Sequence, residues 1–330
     1  MKNCEVLAIV VTYNGEATLR RCLDSIAPAH PCCDTLVIDN ASKDGSLSIS
    51  RSYEAIQVLP LRKNYGFGQA NNVGIAYAIK KGYKYVLLLN QDAYVESETI
   101  RVLREELNAH NEFGVLSPMH LSENGRKLDK NFAINLLSLT GEPELLSDLY
   151  CLGMSTDLRT IYQVKFAPAA LWMVRCESLK ELGGFDPLFP HYGEDTDFCM
   201  RADYHNIRVG VVPRARGYHL RISPALEKGS TFQECEKLAN RYFVELLIVG
   251  KVLRRGLGWC AVAWLRISVT AAISALRKGE VSSLVAVVWS LGKVGLALRK
   301  IVQSRNESRQ LNRGGFLMES ELVERIETVV

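Results

Sequence analysis

Short, wholly apolar runs alternate with amphipathic stretches along the first 120 residues. V-L-A-I-V-V (6–11), T-L-V-I-D (35–39), A-I-Q-V-L (55–59) and Y-V-L-L-L (85–89) read as strands. Runs this apolar, with little in-out alternation, belong to strands covered on both faces. Between them Ala17–Ile26, residues 46–53 and Gln69–Lys81 read as helices. Strands and helices in alternation predict an α/β fold with a mostly parallel sheet flanked by helices. Such sheets bind ligands at the carboxyl ends of their strands. Polar clusters stand at three of those ends: Thr12-Tyr13-Asn14, Asp39-Asn40 and Asn90-Gln91-Asp92. Three such ends exceed what strand capping needs, so the pattern predicts a site there.

Farther along, residues 120–162 are weakly patterned and read as an insertion or loop-rich crossing. Regular structure resumes at F-A-P-A-A-L-W-M-V (166–174), followed by a helix near Glu177–Leu182, a break at Gly183-Gly184 and a helical stretch over 193–202. A last strand over 209–213 leads into Arg216-Gly217-Tyr218-His219, and the pattern beyond about 230 is helical. The tail after Lys300 is polar, with Leu317–Val330 patterned as one more amphipathic helix. The division expected is a sheet domain over 1–230 and a helical region over 231–330.

Composition narrows the setting. Apolar residues make up 48% of the chain and charged residues 23%, as in ordinary folded proteins. The nine cysteines are scattered without zinc-like spacing, and the N-terminal apolar run is too short for a signal peptide. Both features point to a reducing, cytoplasmic compartment. The net charge of +4 hides an asymmetry: residues 246–300 carry nine Lys/Arg against one acid, net +8, which leaves −4 for the remainder. In that basic segment Arg266 and Lys293 interrupt the apolar runs, and Trp259, Trp264 and Trp289 punctuate them. Helices of this type suit the interfacial plane of an anionic membrane. Packing on the sheet domain, or in a homo-oligomer, is the other use of such faces. No nucleic-acid partner is expected.

Individual residues carry chemistry. Asp39 could accept hydrogen bonds from a nucleobase imide or a ribose hydroxyl, or belong to an ordinary βα-turn. R-K-N-Y-G-F-G-Q-A-N-N-V-G (62–74) nearly matches a dinucleotide fingerprint, but Asn71 stands at the third glycine position and the stretch follows the third strand. Asp92 is a hard oxygen ligand placed for a divalent cation that would share a diphosphate. In G-E-D-T-D-F-C-M-R, Glu194 and Asp197 share a helix face and Asp197 can pair with Arg201. Asp195 lies off that face, free to act as a general base or to favour the helix N-terminus. His219 could add a nitrogen ligand to a cation at Asp92, or be a hydrogen-bonded loop residue.

Together, V-V-T-Y-N-G (10–15), V-I-D-N-A-S-x-D-G-S (37–46), N-Y-G-F-G-Q-A-N-N-V-G (64–74), L-L-N-Q-D (88–92), G-G-F-D-P-L-F (183–189) and E-D-T-D-F-C-M-R (194–201) resemble the family 2 glycosyltransferases, in particular their bacterial rhamnosyltransferase-like branch. The resemblance extends over roughly residues 5–220 and implies a GT-A fold, Rossmann-like, with a C-terminal helical extension. It implies inverting transfer of a sugar from a nucleoside diphosphate sugar, dTDP-rhamnose first and UDP-hexoses second. The acceptor implied is a hydroxyl of a lipid-linked or polysaccharide glycan of the cell surface, at the cytoplasmic face of the inner membrane. Carried over by position, Thr12, Tyr13, Asn14, Asp39, Asn64, Gly66 and Asn71 would hold the nucleotide. Asn90 and Gln91 would face the donor sugar and diphosphate, Asp92 and His219 would hold Mg²⁺ or Mn²⁺, and Asp195 would be the catalytic base. Asn90 departs from the usual Asp-x-Asp, and the Gln-x-x-Arg-Trp of processive synthases is absent, which favours one sugar per encounter. A sugar nucleotidyltransferase would need a Gly-rich basic loop after the first strand, where T-Y-N-G-E-A-T stands. A non-catalytic nucleotide-binding module would not need Asp39, Asp92, Asp195 and His219 together.

Overall fold

The computed structural model describes residues 4–29, 32–138, 144–145, 147–148, 158–189, 191–220, 231–311 and 316–317. Four apolar strands form one half of a nine-stranded sheet: β1 (Val6–Thr12), β2 (Cys33–Asp39), β3 (Ile56–Pro60) and β4 (Tyr85–Asn90). They pair in parallel in the order β3-β2-β1-β4. The other half is mixed. It contains β5 (Ala93–Val95), β6 (Phe113–Ser122), β7 (Tyr162–Val164), β8 (Leu171–Arg175) and β9 (Arg208–His219). The path continues β4-β8-β6-β9-β5, with β7 on β9; β8 runs antiparallel to β4 and β6, whereas β6 and β9 are parallel.

Helices α1 (Leu19–Ile26), α2 (Ser46–Arg51), α3 (Phe67–Lys81), α4 (Thr99–Ala109), α5 (Lys130–Ser138), α6 (Cys176–Leu182) and α7 (Glu194–Tyr204) accompany the sheet. α1 buries Leu19, Cys22, Leu23 and Ile26, the single stripe that a 3.6-residue period dictates. α3 approaches the sheet closely because Gly74 has no side chain: a Cβ there would lie 2.8 Å from Ile9. Trp172, Phe185 and Phe198 pack as a triad beneath α7.

Three longer helices follow: α8 (Thr231–Gly250), α9 (Leu257–Lys278) and α10 (Val281–Ser308). Phe189 joins Leu246, Leu247, Val294 and Ile301 in a small core between them and the sheet domain. Beside it Lys251 is wholly buried, its Nζ 2.8 Å from Asp186 Oδ2 and 3.4 Å from Asp197 Oδ1, and it also bonds Ser304 and Ser308. Asp197 is 2.8 Å from buried Arg201, which donates to the carbonyls of Leu182 and Gly184. The pairing expected between Asp197 and Arg201 is present, and Lys251 joins it from a distant part of the chain. α9 and α10 are each long and apolar enough to cross a membrane.

Several expectations need correction. The last strand runs to His219, beyond 213, because Gly217 and Tyr218 continue the pairing with β6 and β5. β6 is a ten-residue strand where no strand was expected; its Pro118 falls beside a register shift, the irregular position at which a sheet tolerates proline. Within 166–174 only the part from Leu171 is strand. The weakly patterned stretch contains α5, and the polar tail after Lys300 stays helical to Ser308. The helix expected over Leu317–Val330 lies, beyond 317, outside the described residues.

Candidate active site

Parallel register sets the row of polar side chains. Thr12 of β1 stands opposite Asp39 of β2, and Val11 opposite Asn90 of β4, so three strand ends finish within one residue of one another. Asp39 is 2% exposed; its Oδ2 accepts from the Ser42 amide at 3.3 Å, while its Oδ1 has no hydrogen-bond partner. A buried carboxylate oxygen left open is costly unless something docks on it. Asn14 adopts φ +48 and braces the neighbouring turn, its Oδ1 accepting from the Lys43 amide and its own amide donating to Ser42.

The other predicted nucleotide residues divide into those that face outward and those that shape the loop. Tyr13 is exposed. Asn64 accepts from the Gly66 amide at 2.8 Å and from Asn40 at 3.0 Å, fixing the turn before α3. Asn71 is buried and donates to the Phe67 carbonyl one turn back. Gln91 clamps β1 to β4: its Oε1 accepts from Thr12 Oγ1 at 2.7 Å and from the Tyr13 amide at 2.8 Å.

Beyond this edge lies a cavity of about 560 Å³ that gathers Asn90, Asp92, Asp195 and His219, together with Glu194, Asn131, Asn135, Phe67, His191 and Tyr192. Asp92 follows β4, and His219 ends β9 with Nε2 3.2 Å from Asp92 Oδ1. The strand pairing of Ala93 with His219 enforces this meeting. His219 Nδ1 and Asn90 Oδ1 are buried without partners. One carboxylate and one imidazole fit a divalent cation that completes its shell with phosphate and water oxygens. No group of three His, Cys, Asp or Glu able to hold a metal by itself occurs among the described residues.

Asp195, in the first turn of α7, lines the same cavity. Its Oδ1 accepts from the Thr196 amide at 2.7 Å, and burial raises its pKa above the ordinary aspartate value. Sequence reasoning missed Glu194 as a site residue, taking it for a helix-face partner of Asp197. In the fold Asp197 turns to Arg201 and Lys251, while Glu194 lines the cavity. Burial, reinforced by the charge of Asp195, pushes Glu194 up to about 8. The signal available was negative: Glu194 has no cation at i+3 or i+4, since those places hold Asp197 and Phe198. Gly193, at φ +87, makes the turn into α7, and a Cβ there would lie 2.8 Å from Val244 of α8.

Comparison with known proteins places this geometry. Residues 7–183, just over half the chain, match the profile of Glycosyl transferase family 2. The Low-salt glycan biosynthesis hexosyltransferase Agl10 of Haloferax volcanii is 24% identical over 249 residues, covering 75% of this chain and 77% of its own. The dTDP-rhamnosyl transferase RfbF of Shigella flexneri is 24% identical over 219 residues, covering 66% and 69%. Among solved structures, the mannosyltransferase PcManGT of Pyrobaculum calidifontis, in complex with GDP-Man and Mn²⁺, has a TM-score of 0.55 at 17% identity and covers 88% of this chain and 86% of its own. The S. aureus TarS structure, with a TM-score of 0.51 at 22% identity, covers 76% of this chain, which spans only 40% of TarS. These likenesses are to the GT-A architecture: a sheet flanked by helices, followed here by a helical region.

Proposed function

The chain belongs to glycosyl transferase family 2, and from this premise we propose that it transfers one sugar per encounter, with inversion, from a nucleoside diphosphate sugar to an acceptor hydroxyl. The observation that carries the reading is the gathering, in one cavity at the carboxyl edge of the sheet, of the Asp92–His219 pair and Asp195. Asp39, with its open Oδ1, takes the base or ribose, and Tyr13 covers it. Asp195 removes the proton from the acceptor hydroxyl. The acceptor oxygen then bonds to the anomeric carbon from the face opposite the diphosphate, whose oxygen leaves with the electron pair of the broken C–O bond. Mg²⁺ or Mn²⁺ held by Asp92 and His219 would supply the positive charge that steadies that leaving group. Asn90 faces the donor sugar. The first donor is dTDP-rhamnose, the substrate class named for RfbF; a UDP-hexose is second.

The acceptor is a lipid-linked or polysaccharide glycan, and the chain works at the cytoplasmic face of the inner membrane as a peripheral protein. α9 leaves Val262, Leu265, Val269, Ile273 and Leu276 exposed at spacings of three and four, and α10 exposes Val281, Val285, Val288, Leu291, Leu296 and Leu298. Arg254, Arg255, Arg266, Arg277, Lys278, Arg299 and Lys300 are exposed around them. Both faces therefore match an anionic lipid surface. The bundle lies on the membrane and does not cross it. α8 runs alongside α10 in the same direction, with Cys235 bonded to Ser282 and Asn240 to Lys293. Its exposed Glu234, Glu236, Lys237 and Arg241 would enter hydrocarbon if α10 spanned the bilayer. Residues 1–230 are thus the catalytic part and 231–330 the docking part, clamped together at Lys251.

The test is a thermal-shift panel of nucleotides and nucleotide sugars, each with Mg²⁺ or Mn²⁺ and again with EDTA. A metal-dependent shift with dTDP or UDP compounds is expected, about 2.7 kcal/mol at a hundredfold excess over Kd. Asp195→Asn should keep that shift and lose about 10²–10⁴ in transfer rate. Transfer at a normal rate by this variant sinks the base assignment, and no shift with any nucleotide sinks the function.

A further inference from the structure

The two carboxyl groups that open α7 have unlike surroundings. Asp195 accepts a backbone amide and a hydroxyl, both from Thr196. Glu194 is 7% exposed, and its Oε2 has no hydrogen-bond partner at all. It lines the cavity, and its Cβ packs 3.7 Å from the position a Cβ on Gly68 would take, against the first turn of α3. Gly66, the residue before that turn, is tied through Asn64 and Asn40 to the nucleotide edge of the site. Glu194 therefore stands on the donor side of the cavity.

We infer that Glu194 works as a neutral carboxylic acid, donating its Oε2–H as a hydrogen bond to a hydroxyl oxygen of the donor sugar. This rests on the reading of the cavity as a transfer site, and it adds a sugar-contacting residue of unusual protonation. Three physical arguments carry it. Burial with an oxygen unpaired strips an ionised carboxylate of its solvation and favours the neutral form. No Lys or Arg lines the cavity among the described residues. Asp195 follows it on the same helix, Asp92 and His219 line the cavity from the ends of β4 and β9, and His191 from the preceding loop has its pKa lowered by burial. Finally, a cavity that must admit a diphosphate next to Asp92 gains from one fewer negative charge. Two neighbouring carboxyls resist ionising together, and a proton resting on Glu194 leaves Asp195 to act as the base. The position of Glu194, up to about 8, agrees.

The test has two parts. Infrared spectra at pH 7 should show a protonated carboxylic acid band that disappears in Glu194→Gln; a wild type without the band, or a band persisting in Glu194→Gln, overturns the proposal. Affinities of dTDP-rhamnose and UDP-glucose are then compared with those of dTDP and UDP. Glu194→Gln, which keeps an N–H donor, should retain the sugar's added affinity within about threefold. Glu194→Ala should lose about tenfold of it while binding the bare nucleotide normally. In the wild type the sugar's contribution should be full near pH 6 and fall as pH rises through about 8. Equal loss in both variants overturns the donor role. A wild type that binds neither nucleotide sugar removes the transfer reading and this contact with it, while the infrared band still locates the proton.

Discussion

Apolar residues do opposite things in the two parts of this chain. In β1 and β4 every apolar side chain is buried, none above 8% exposure, and the strands vanish between layers of helices. In α9 and α10 residues just as apolar stand in water, Val288 at 70% and Leu296 at 89%. The strand runs are spent on folding. The helical stripes, whose inner faces already pack on α8 through Trp264, Ala286 and Val294, leave their outer faces uncovered among the described residues. Hydrophobic periodicity thus reports burial in one region and an exposed face in the other. Charge tells them apart, because the exposed stripes carry a basic rim and the strands do not.

Substitution should break this contrast most sharply in the body. Trp172 is fully buried in the aromatic triad under α7. Trp172→Ala is expected to cost about 3–5 kcal/mol in denaturant unfolding, the range for emptying a large core site. A loss below about 1 kcal/mol would mean that the triad is loosely packed.

The junction comes next. Lys251→Met leaves Asp186 buried without its cation and Asp197 with Arg201 alone, and removing one partner of a buried ion pair costs about 3–5 kcal/mol. The unfolding transition should remain single, because α8, α10 and the sheet domain share that cluster. Two separate transitions would instead show that residues 231–330 fold independently.

What could be read from the sequence follows the same divide. The β1–β4 runs, the polar strand ends and the Asp195 helix were legible because both faces of those strands are covered and nothing interrupts their pattern. The meeting of Asp92 with His219 was suspected from residue type alone; the antiparallel pairing that makes it, Ala93 with His219, spans more than a hundred residues and left no local mark. β6 was hidden by Pro118 and a register shift, and the outer part of β9 by its exposed Arg214 and Arg216. Glu194 was misread because a helix-face argument sees Asp197 turn to Arg201 but neither the arrival of Lys251 from far along the chain nor the cavity that Glu194 lines. The stripes on α9 and α10 were legible as amphipathic, but only the structure shows which face is left bare.

Exposed stripes should behave as a surface that folding does not use. Val288→Ser and Leu296→Ser are expected to change stability by no more than about 0.5 kcal/mol each. Their affinity for vesicles containing anionic phospholipid should fall by about 1.5–3 kcal/mol for each side chain that inserts fully. Destabilisation comparable to that of Trp172→Ala would show that these residues are core after all.

The smallest effect decides what the bare faces meet. Arg299→Gln and Lys300→Gln each remove a charge at the end of the α10 stripe, worth about 1 kcal/mol against an anionic leaflet, or roughly fivefold in vesicle affinity. The same loss should appear in the unmodified protein as salt is raised, since these side chains are exposed and screened. A second copy of this chain would present the same basic rim, so neutralising it would relieve repulsion and strengthen self-association. Weaker vesicle binding with an unchanged sedimentation coefficient therefore assigns the surface to lipid. Tighter self-association with no change in vesicle binding assigns it to another protomer.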